Sequence, residues 1–365
     1  MVSATAILQE PLEHQIEVEK IAMTWTEFAT AGSAAFLLSL ILTPSLIIVA
    51  HRIGMVSHPR TDRWHQSPVA LLGGVAIFSG FITAALLITP VDSQILSLLL
   101  GTALIFVLGM LDDLWSLSPQ QKLIGQILAS FIPVFNNIIF ILPCNTLFST
   151  LVTMLWIIGI TNAFNLLDNM DGLAAGIAVI STGFMVGYGI QNHLPAIAMV
   201  AVCLGGAVLG FLPYNFNPAR IFMGDSGSFV LGYVLATVTA LGHSQLGVEA
   251  AWVWVAHIAL LGLPIFDSCF VAVMRILHNR KIWQGGRDHT SHRLVALGLG
   301  EQSAVLVLYG ISAMLASLSL LVRNLSVVSG LVLMFITLGL LIGFALLLAQ
   351  IEVYLPEEQR SVSTE

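Results

Sequence analysis

Charge is what this sequence lacks. Lys, Arg, Asp and Glu make up 9 % of its 365 residues, against about 25 % in soluble proteins. Hydrophobic residues make up 57 %, and the mean hydropathy is +0.93. Thirteen basic and twenty acidic side chains cannot cover the surface of a soluble protein of this length. An ordinary soluble enzyme, a disordered chain and a coiled coil are therefore excluded. The net charge of −7 and the absence of a basic stripe exclude a nucleic-acid partner. Cysteine is scarce too. Cys144, Cys203 and Cys269 lie far apart in apolar surroundings with no C-x-x-C spacing, which reads as packing rather than metal binding or a disulfide framework. The first 27 residues carry Glu10, Glu13, Glu17, Glu19 and Lys20 and lack the basic start and apolar core of a signal peptide. They read as a polar tail.

Long apolar runs are what the sequence has. A hydrocarbon core of ~30 Å needs ~20 apolar helical residues. Eleven stretches qualify as spans: 28–50, 69–90, 95–111, 123–142, 147–161, 173–190, 194–213, 227–242, 251–274, 303–322 and 326–350. The third, fifth and eighth are short, and the fifth is the weakest. The expected fold is an all-α polytopic membrane protein of 10–11 transmembrane helices. It forms one domain over 28–350, between a polar tail at 1–27 and a tail at 351–365. Eleven of the thirteen Lys and Arg fall in alternate loops and the C-terminal tail; Lys20 and Arg323 do not. The positive-inside rule then puts the N-terminus outside and the C-terminus in the cytoplasm.

Outside the tails the acids are few, and most lie on the cytoplasmic side of that topology. Asp112 and Asp113 end the third span in GMLDDLWSLSPQQK. Two adjacent carboxylates at a membrane edge repel each other, which a divalent cation or a shared proton relieves. Ser118, Pro119 and Gln121 read as an N-cap, a first helical residue and a capping-box partner. Lys122, in the next turn, is within reach of a phosphate. In NAFNLLDNMDGLAAG, Asn162, Asn165, Asp168 and Asp171 recur every three residues along one side of a helical turn. Oxygen ligands of this kind suit Mg²⁺, which keeps waters and substrate phosphates. In NFNPARIFMGDSGS, Asp225 lies near Gly224 and Gly227 at the start of the eighth span, where free N–H groups favour an anion. Asn215, Asn217 and Arg220 add polar reach. In GGRDHTSHRL, Arg287, His289, His292 and Arg293 form a compact basic patch suited to phosphate. Asp267 stands inside the ninth apolar run, with Pro264 expected to break the helix just before it. His58, Arg60, Asp62, Arg63 and His65 crowd the first loop, facing either a diphosphate or anionic lipid. Metal-suited acids and phosphate-suited bases on one membrane face point to phosphoryl transfer, in which catalysis is mostly positioning and charge neutralisation.

The segments GMLDD, NAFNLLDNMDGLAAG, FNPARIFMGDSGS and DHTSHRL, in this order and spacing over roughly residues 45–300, resemble the polyprenyl-phosphate N-acetylhexosamine-1-phosphate transferases of the glycosyltransferase 4 family. The resemblance implies transfer of a sugar 1-phosphate from a UDP-sugar donor to undecaprenyl phosphate, with release of UMP. It implies Mg²⁺, with Mn²⁺ as a substitute, held by Asp225 and helped by Asp168. By position, Asp112 and Asp113 match an acidic pair assigned to metal handling or to deprotonating the lipid phosphate. Asp168 and Asp171 match the second acidic motif, and Asn162 and Asn165 its nucleotide-side amides. Lys122, Asn215 and the His289–Arg293 segment match groups near the phosphates and sugar. Relatives often carry His-x-His-His-Arg where this chain reads His289-Thr290-Ser291-His292-Arg293. Loss of the three-histidine signature favours UDP-GlcNAc over UDP-MurNAc-pentapeptide. A bacterial plasma membrane, an active site facing the cytoplasm and a homodimer are further expectations. The rival readings are a membrane prenyltransferase, whose usual Asp-x-x-x-Asp spacing is not that of Asp168 and Asp171, an ion-coupled transporter and a silent scaffold.

Overall fold

The structure is a computed structural model that describes residues 25–58, 68–89, 91–143, 145–246, 252–282, 286–322 and 325–353. Arg60, Asp62, Arg63, His65, Cys144, the N-terminal tail with Lys20, Arg323 and Arg360 lie outside the described residues.

Thirteen helices account for nearly all of the described chain: α1 (Trp25–Ile53), α2 (Gly73–Ile88), α3 (Ser93–Trp115), α4 (Pro119–Phe135), α5 (Thr146–Leu167), α6 (Leu173–Gln191), α7 (Pro195–Asn215), α8 (Gly224–Leu246), α9 (Trp252–Leu260), α10 (Gly262–Leu277), α11 (Thr290–Ala296), α12 (Glu301–Leu321) and α13 (Val327–Ala349). Among the described residues eight are long and apolar enough to cross a membrane, and the bent pair α9–α10 adds a ninth when its two halves are counted as one span. This is the all-α polytopic architecture that the composition demanded.

The lengths differ from the hydropathy reading in an informative way. The third, fifth and eighth spans, expected to be short, are helices of 23, 22 and 23 residues. Each runs past its apolar window into polar residues, Asp112 and Asp113, Asn162 and Asn165, or Gly224–Ser228, which stay helical because other helices supply their hydrogen-bond partners. Of the runs expected to be single unbroken spans, the short helices are α2, of 16 residues, and α4, of 17. Sixteen residues reach about 24 Å, less than a ~30 Å core. Residues 69–71 of that apolar run form a strand instead, and α4 stops at Phe135 after Pro133. The chain beyond α4 is extended and docks on α5, where the Phe140 N–H donates to Thr153 Oγ1 (2.8 Å) and the Leu142 N–H to Ser149 Oγ (3.3 Å).

Helix α8 forms the axis of the bundle. Every residue from Ser226 to His243 is buried, and α2, α3 and α5 pack on it. A helix that is apolar all round belongs inside. Helix α13 is the opposite: of its residues 328–349 only Gly330 and Leu348 are buried, and it presents its face to lipid. One continuous core runs from Ala31 to Leu348. Cys203 is a buried free thiol, in keeping with its reading as a packing residue, whereas Cys269 is free and exposed on α10 and does not pack in the core.

One further feature was not legible as a sequence pattern, and another was read with the wrong position and cause. A three-stranded sheet of β1 (Val56–Ser57), β2 (Val69–Leu71) and β3 (Ile221–Phe222) pairs β1 antiparallel and β3 parallel to β2. Strands this short carry no alternation to read. The break in the ninth run falls at Leu261, with a 75° bend. Pro264, expected to cause it, instead sits in the first turn of α10, where a missing N–H costs nothing.

Candidate active site

The polar residues gather where the C-terminal ends of α3, α5 and α7 meet the N-terminal ends of α4, α6 and α8. A cavity of about 270 Å³ opens there. It is lined by Leu71, Asp113, Asn165, Asp168, Asn169, Met170, Asp171, Phe222, Gly224, Asp225, Gly286, His292 and Glu301.

Asp112 and Asp113, adjacent in sequence, do different work, because neighbours on a helix point about 100° apart. Asp113 Oδ1 accepts from the Asp225 N–H (2.8 Å) and Oδ2 from the Ser226 N–H (3.1 Å). The anion at the start of α8 is thus the protein's own carboxylate, delivered by α3, not a substrate phosphate. Gly224 permits this approach. It has φ +70°, and a Cβ there would lie 2.6 Å from Asp113 Oδ2. Asp112 turns back on its own helix end, where its Oδ1 accepts from the Leu117 N–H (2.7 Å), and its Oδ2 pairs with Lys122.

Lys122 also donates to Asp225 Oδ2 (2.9 Å). Its place on α4 follows from the local sequence as read. Ser118 Oγ accepts from the Gln121 N–H, Gln121 Oε1 accepts from the Ser118 N–H, and Pro119 begins the helix. The other Asp225 oxygen accepts from Asn165 Nδ2 (2.9 Å), which also reaches Ser228 Oγ (3.0 Å). Asp225 therefore lies inside the first turn of α8 rather than at its cap, held from both sides and facing the cavity.

The three-residue repeat in the second motif splits in the same way. Asn162 does not line the cavity; it exchanges hydrogen bonds with Gln126 and clamps α5 to α4. Asp168 caps α5 and lines the cavity. Asp171 lines it too, while its Oδ2 accepts from Asn217 Nδ2 (3.2 Å) and the Ala219 N–H (2.8 Å). Asn215 is buried behind the wall. Its Oδ1 accepts from the Gly172 N–H and its Nδ2 donates to the Ile221 carbonyl, so it braces the loop and β3 rather than facing a ligand.

The segment read as a phosphate-binding patch is mostly committed elsewhere. Arg293 is fully buried. It donates to the carbonyls of Leu348 (3.0 Å) and Ile351 (2.7 Å) at the end of α13, and to that of Asp288 (3.2 Å). That corrects its assignment to the substrate: a cation completes the carbonyl end of a helix. His289 Nδ1 lies 2.8 Å from Asp267 Oδ2, and Asp267 Oδ1 accepts from Thr290 N and Oγ1 (2.9 and 2.8 Å). Arg275, on the same helix as Asp267, forms a bidentate pair with Asp288 (2.8 and 2.7 Å), and both are buried. Helix α10 is thus the platform for this segment. His292 alone of the patch lines the cavity. Burial, together with the charges of His289 and Arg287, pushes its imidazole down to about 4, so it is neutral at physiological pH. Arg287 is half-buried beside it and is not among the lining residues.

Breaking the buried pair is expected to be costly. Arg275→Met leaves the Asp288 carboxylate buried without its guanidinium and should destabilise the protein by about 3–5 kcal/mol, seen as a lowered midpoint in thermal unfolding of the detergent-solubilised protein. The double change Arg275→Met with Asp288→Leu should recover part of that loss.

Asn169 and Glu301 line the cavity and were missed in the sequence. Glu301 accepts from Asn217 Nδ2 (3.0 Å) and closes the wall from the start of α12. An acid in the first turn of a helix ordinarily reads as a dipole partner, so nothing local singled it out. Five carboxylates around one cavity, Asp113, Asp168, Asp171, Asp225 and Glu301, form an oxygen-only donor set. Among the described residues no three His, Cys, Asp or Glu side chains form a cluster that could hold a metal by itself. Such a set fits a hard cation bound by one or two carboxylates together with phosphates and water.

Fold and site together define a polytopic membrane enzyme with an acidic phosphate-chemistry site at the ends of its helices. Residues 95–243 match the family described as Glycosyl transferase family 4. The chain is 34 % identical over 317 residues to the probable undecaprenyl-phosphate N-acetylglucosaminyl 1-phosphate transferase of Bacillus subtilis, covering 83 % of this chain and 88 % of that one. It is 30 % identical over 320 residues to the decaprenyl-phosphate N-acetylglucosaminephosphotransferase of Mycobacterium tuberculosis, covering 78 % and 79 %. It is 28 % identical over 312 residues to the phospho-N-acetylmuramoyl-pentapeptide-transferase of Staphylococcus epidermidis, covering 75 % and 92 %. The chain belongs to glycosyl transferase family 4 and is a sugar-phosphate transferase.

Proposed function

We propose that this protein transfers N-acetylglucosamine 1-phosphate from UDP-GlcNAc to a polyprenyl phosphate, undecaprenyl phosphate first among them, and releases UMP. The reaction begins a cell-envelope glycan in a bacterial plasma membrane, with the site facing the cytoplasm. The observation that carries this reading is the acid-lined cavity around Asp225, built at the ends of membrane-spanning helices. A soluble phosphorylated donor and a lipid phosphate can meet there. The names and coverage of the relatives support the same reaction.

An oxygen of the acceptor phosphate attacks the sugar-linked phosphorus of the donor. One P–O bond forms, and the bond to the bridging oxygen breaks as UMP departs. A phosphate monoester has a second pKa of about 6, so the nucleophile needs little help in losing a proton. Asp112 and Asp113 fit a positioning role: one holds Lys122, the other holds the first turn of α8. Lys122 and Asn165 orient Asp225. Asp225 with Asp168 would hold Mg²⁺, which supplies neutralisation of the diphosphate charge when bound.

The test is a transfer assay with purified protein, undecaprenyl phosphate, Mg²⁺ and UDP-GlcNAc labelled in both the sugar and the β-phosphate. Both labels should enter the lipid together as UMP appears. Chelation should abolish turnover, Mg²⁺ should restore it and Mn²⁺ should restore part of it. If UDP-GlcNAc, UDP-GalNAc and UDP-MurNAc-pentapeptide were all inert with Mg²⁺ present, the proposal would fail.

A further inference from the structure

Glu301 stands apart from the other carboxylates of the cavity. Asp113 spends both oxygens on the first turn of α8, and Asp225 spends both on Lys122 and Asn165. Glu301 Oε2 accepts from Asn217 Nδ2 (3.0 Å), and its Oε1 has no partner among the described residues. The Asn217 amide is fixed from both ends. Its Oδ1 accepts from Gln302 Nε2 (3.3 Å), which also donates to the Asn217 carbonyl (3.0 Å). Its two amide hydrogens then go one to Asp171 Oδ2 (3.2 Å) and one to Glu301 Oε2. Further along α12, Tyr309 Oη donates to the Gly172 carbonyl (2.6 Å), and a Cβ on Gly176 would collide with the Tyr309 ring. Helix α12 is therefore seated closely on the turn after α5. Glu301 is half-buried at a set place in the cavity wall, with one oxygen left to accept.

Glu301 also enters the cavity from a different part of the bundle. Helix α12 packs on α6, α9, α10 and α11, whereas Lys122 and Asp225 belong to α4 and α8. Among the described residues no cation pairs with Glu301. A carboxylate without a cation repels phosphate and accepts strongly from O–H groups. A sugar nucleotide carries a hydroxyl-bearing ring on each side of its diphosphate. Resting on the UDP-sugar reading above, we propose that Glu301 binds a ring hydroxyl of the donor and makes donor choice depend on it. With the diphosphate at Asp225, the ring that lies toward α12 donates its O–H to Oε1. Asn217 and Gln302 are the positioning residues that hold the carboxylate for this contact. A donor without that hydroxyl leaves the carboxylate desolvated and unpaired, so the site discriminates against it strongly.

The experiment is steady-state transfer from UDP-GlcNAc by the full-length protein in detergent, wild type against Glu301→Gln. Glutamine keeps the shape and an oxygen for Asn217 but turns an N–H₂ group toward the ligand. KM for UDP-GlcNAc should rise about tenfold or more, the scale of one hydrogen bond to a charged group, with kcat and the unfolding midpoint little changed. An unchanged KM would overturn the proposal. So would a raised Mg²⁺ requirement at unchanged donor KM, which would make Glu301 a metal ligand. Deoxy donors supply the second arm: UDP-GlcNAc lacking the 3-, 4- or 6-hydroxyl of the sugar, or the 2′- or 3′-hydroxyl of the ribose. One of them should be about tenfold poorer than its parent with wild type and equal to it with Glu301→Gln. A sugar-deoxy donor behaving so assigns the contact to the hexosamine, and a ribose-deoxy donor assigns it to the nucleoside. If every deoxy donor kept its sensitivity to Glu301→Gln, the residue would be structural and the proposal would fall. Should Glu301→Gln not fold, Glu301→Asp takes its place, with a smaller rise in KM, and unchanged use of all five deoxy donors by wild type would overturn the proposal without any variant. Wild-type protein that transfers nothing from UDP-GlcNAc would sink the proposed function, and this assignment with it. Normal wild-type transfer beside an indifferent Glu301→Gln would sink this assignment alone.

Discussion

Asp225→Ala is expected to lower turnover by on the order of a thousandfold, the scale seen when one electrostatic group is removed from an active site. The variant should still fold. The cap of α8 comes from the Asp113 carboxylate on the Asp225 and Ser226 backbone N–H groups, and alanine keeps both donors. What is lost is the one carboxylate that Lys122 and Asn165 hold from opposite sides. Asp225→Asn tests charge against shape. It keeps an oxygen toward Asn165 but meets the Lys122 ammonium with no negative charge. Its turnover should stay within about tenfold of the alanine variant even at high Mg²⁺. The measurement is kcat over a Mg²⁺ titration, with thermal unfolding as the fold control. Near-normal turnover of Asp225→Asn at limiting Mg²⁺ would show that Asp225 holds no metal.

Gly109→Ala is expected to disable the enzyme without touching a polar group. Gly109 lies on α3 against the first turn of α8. A Cβ there would come within 2.6 Å of Ser226 N and 2.7 Å of Asp225 C. These are backbone atoms of a buried helix start and cannot rotate away. Helix α3 must then withdraw, carrying Asp113 from the two N–H groups it caps and Asp112 from Lys122. A displacement of about 1 Å at a reacting centre costs about a hundredfold in rate, and overpacking of this kind costs about 1–3 kcal/mol of stability. Gly159→Ala is the control, because a Cβ on that residue of α5 meets nothing within 4 Å. Gly109→Ala should therefore lose about a hundredfold in kcat and several degrees in midpoint while Gly159→Ala keeps both. Equal activity in the two variants would mean that the α3–α8 contact does not set the site.

Much of this site was legible because its motifs are local. The capping box at Ser118–Gln121 follows from four consecutive residues and formed as read. Asp113, Asn165, Asp168, Asp171, Asp225 and His292, all singled out in the sequence, line one cavity. What could not be read was the division of labour inside each motif. Asp112 and Asp113 look equivalent on paper. Their partners, Lys122 on one side and the backbone of residues 225–226 on the other, come from different helices, and no local pattern reports which helix lies on which side. Arg293 and His292 are neighbours with opposite fates for the same reason. The carbonyls that claim Arg293 belong to residues 348 and 351, while His292 turns to the cavity.

The sequence by itself determined that this is an all-α membrane protein and an enzyme acting on phosphates at one end of its helices. Too few charges exist to solvate a surface, the apolar runs are long enough to span a bilayer, and acids at their ends are too costly to keep without a purpose. Tertiary structure alone decided which polar groups face the cavity and which brace it. Inside a bundle every buried charge and N–H must find a partner, and that partner is chosen by which helices pack together. This is why Asp225 and His292 line the cavity while Asn162, Asn215, Asp267, His289 and Arg293 hold its walls.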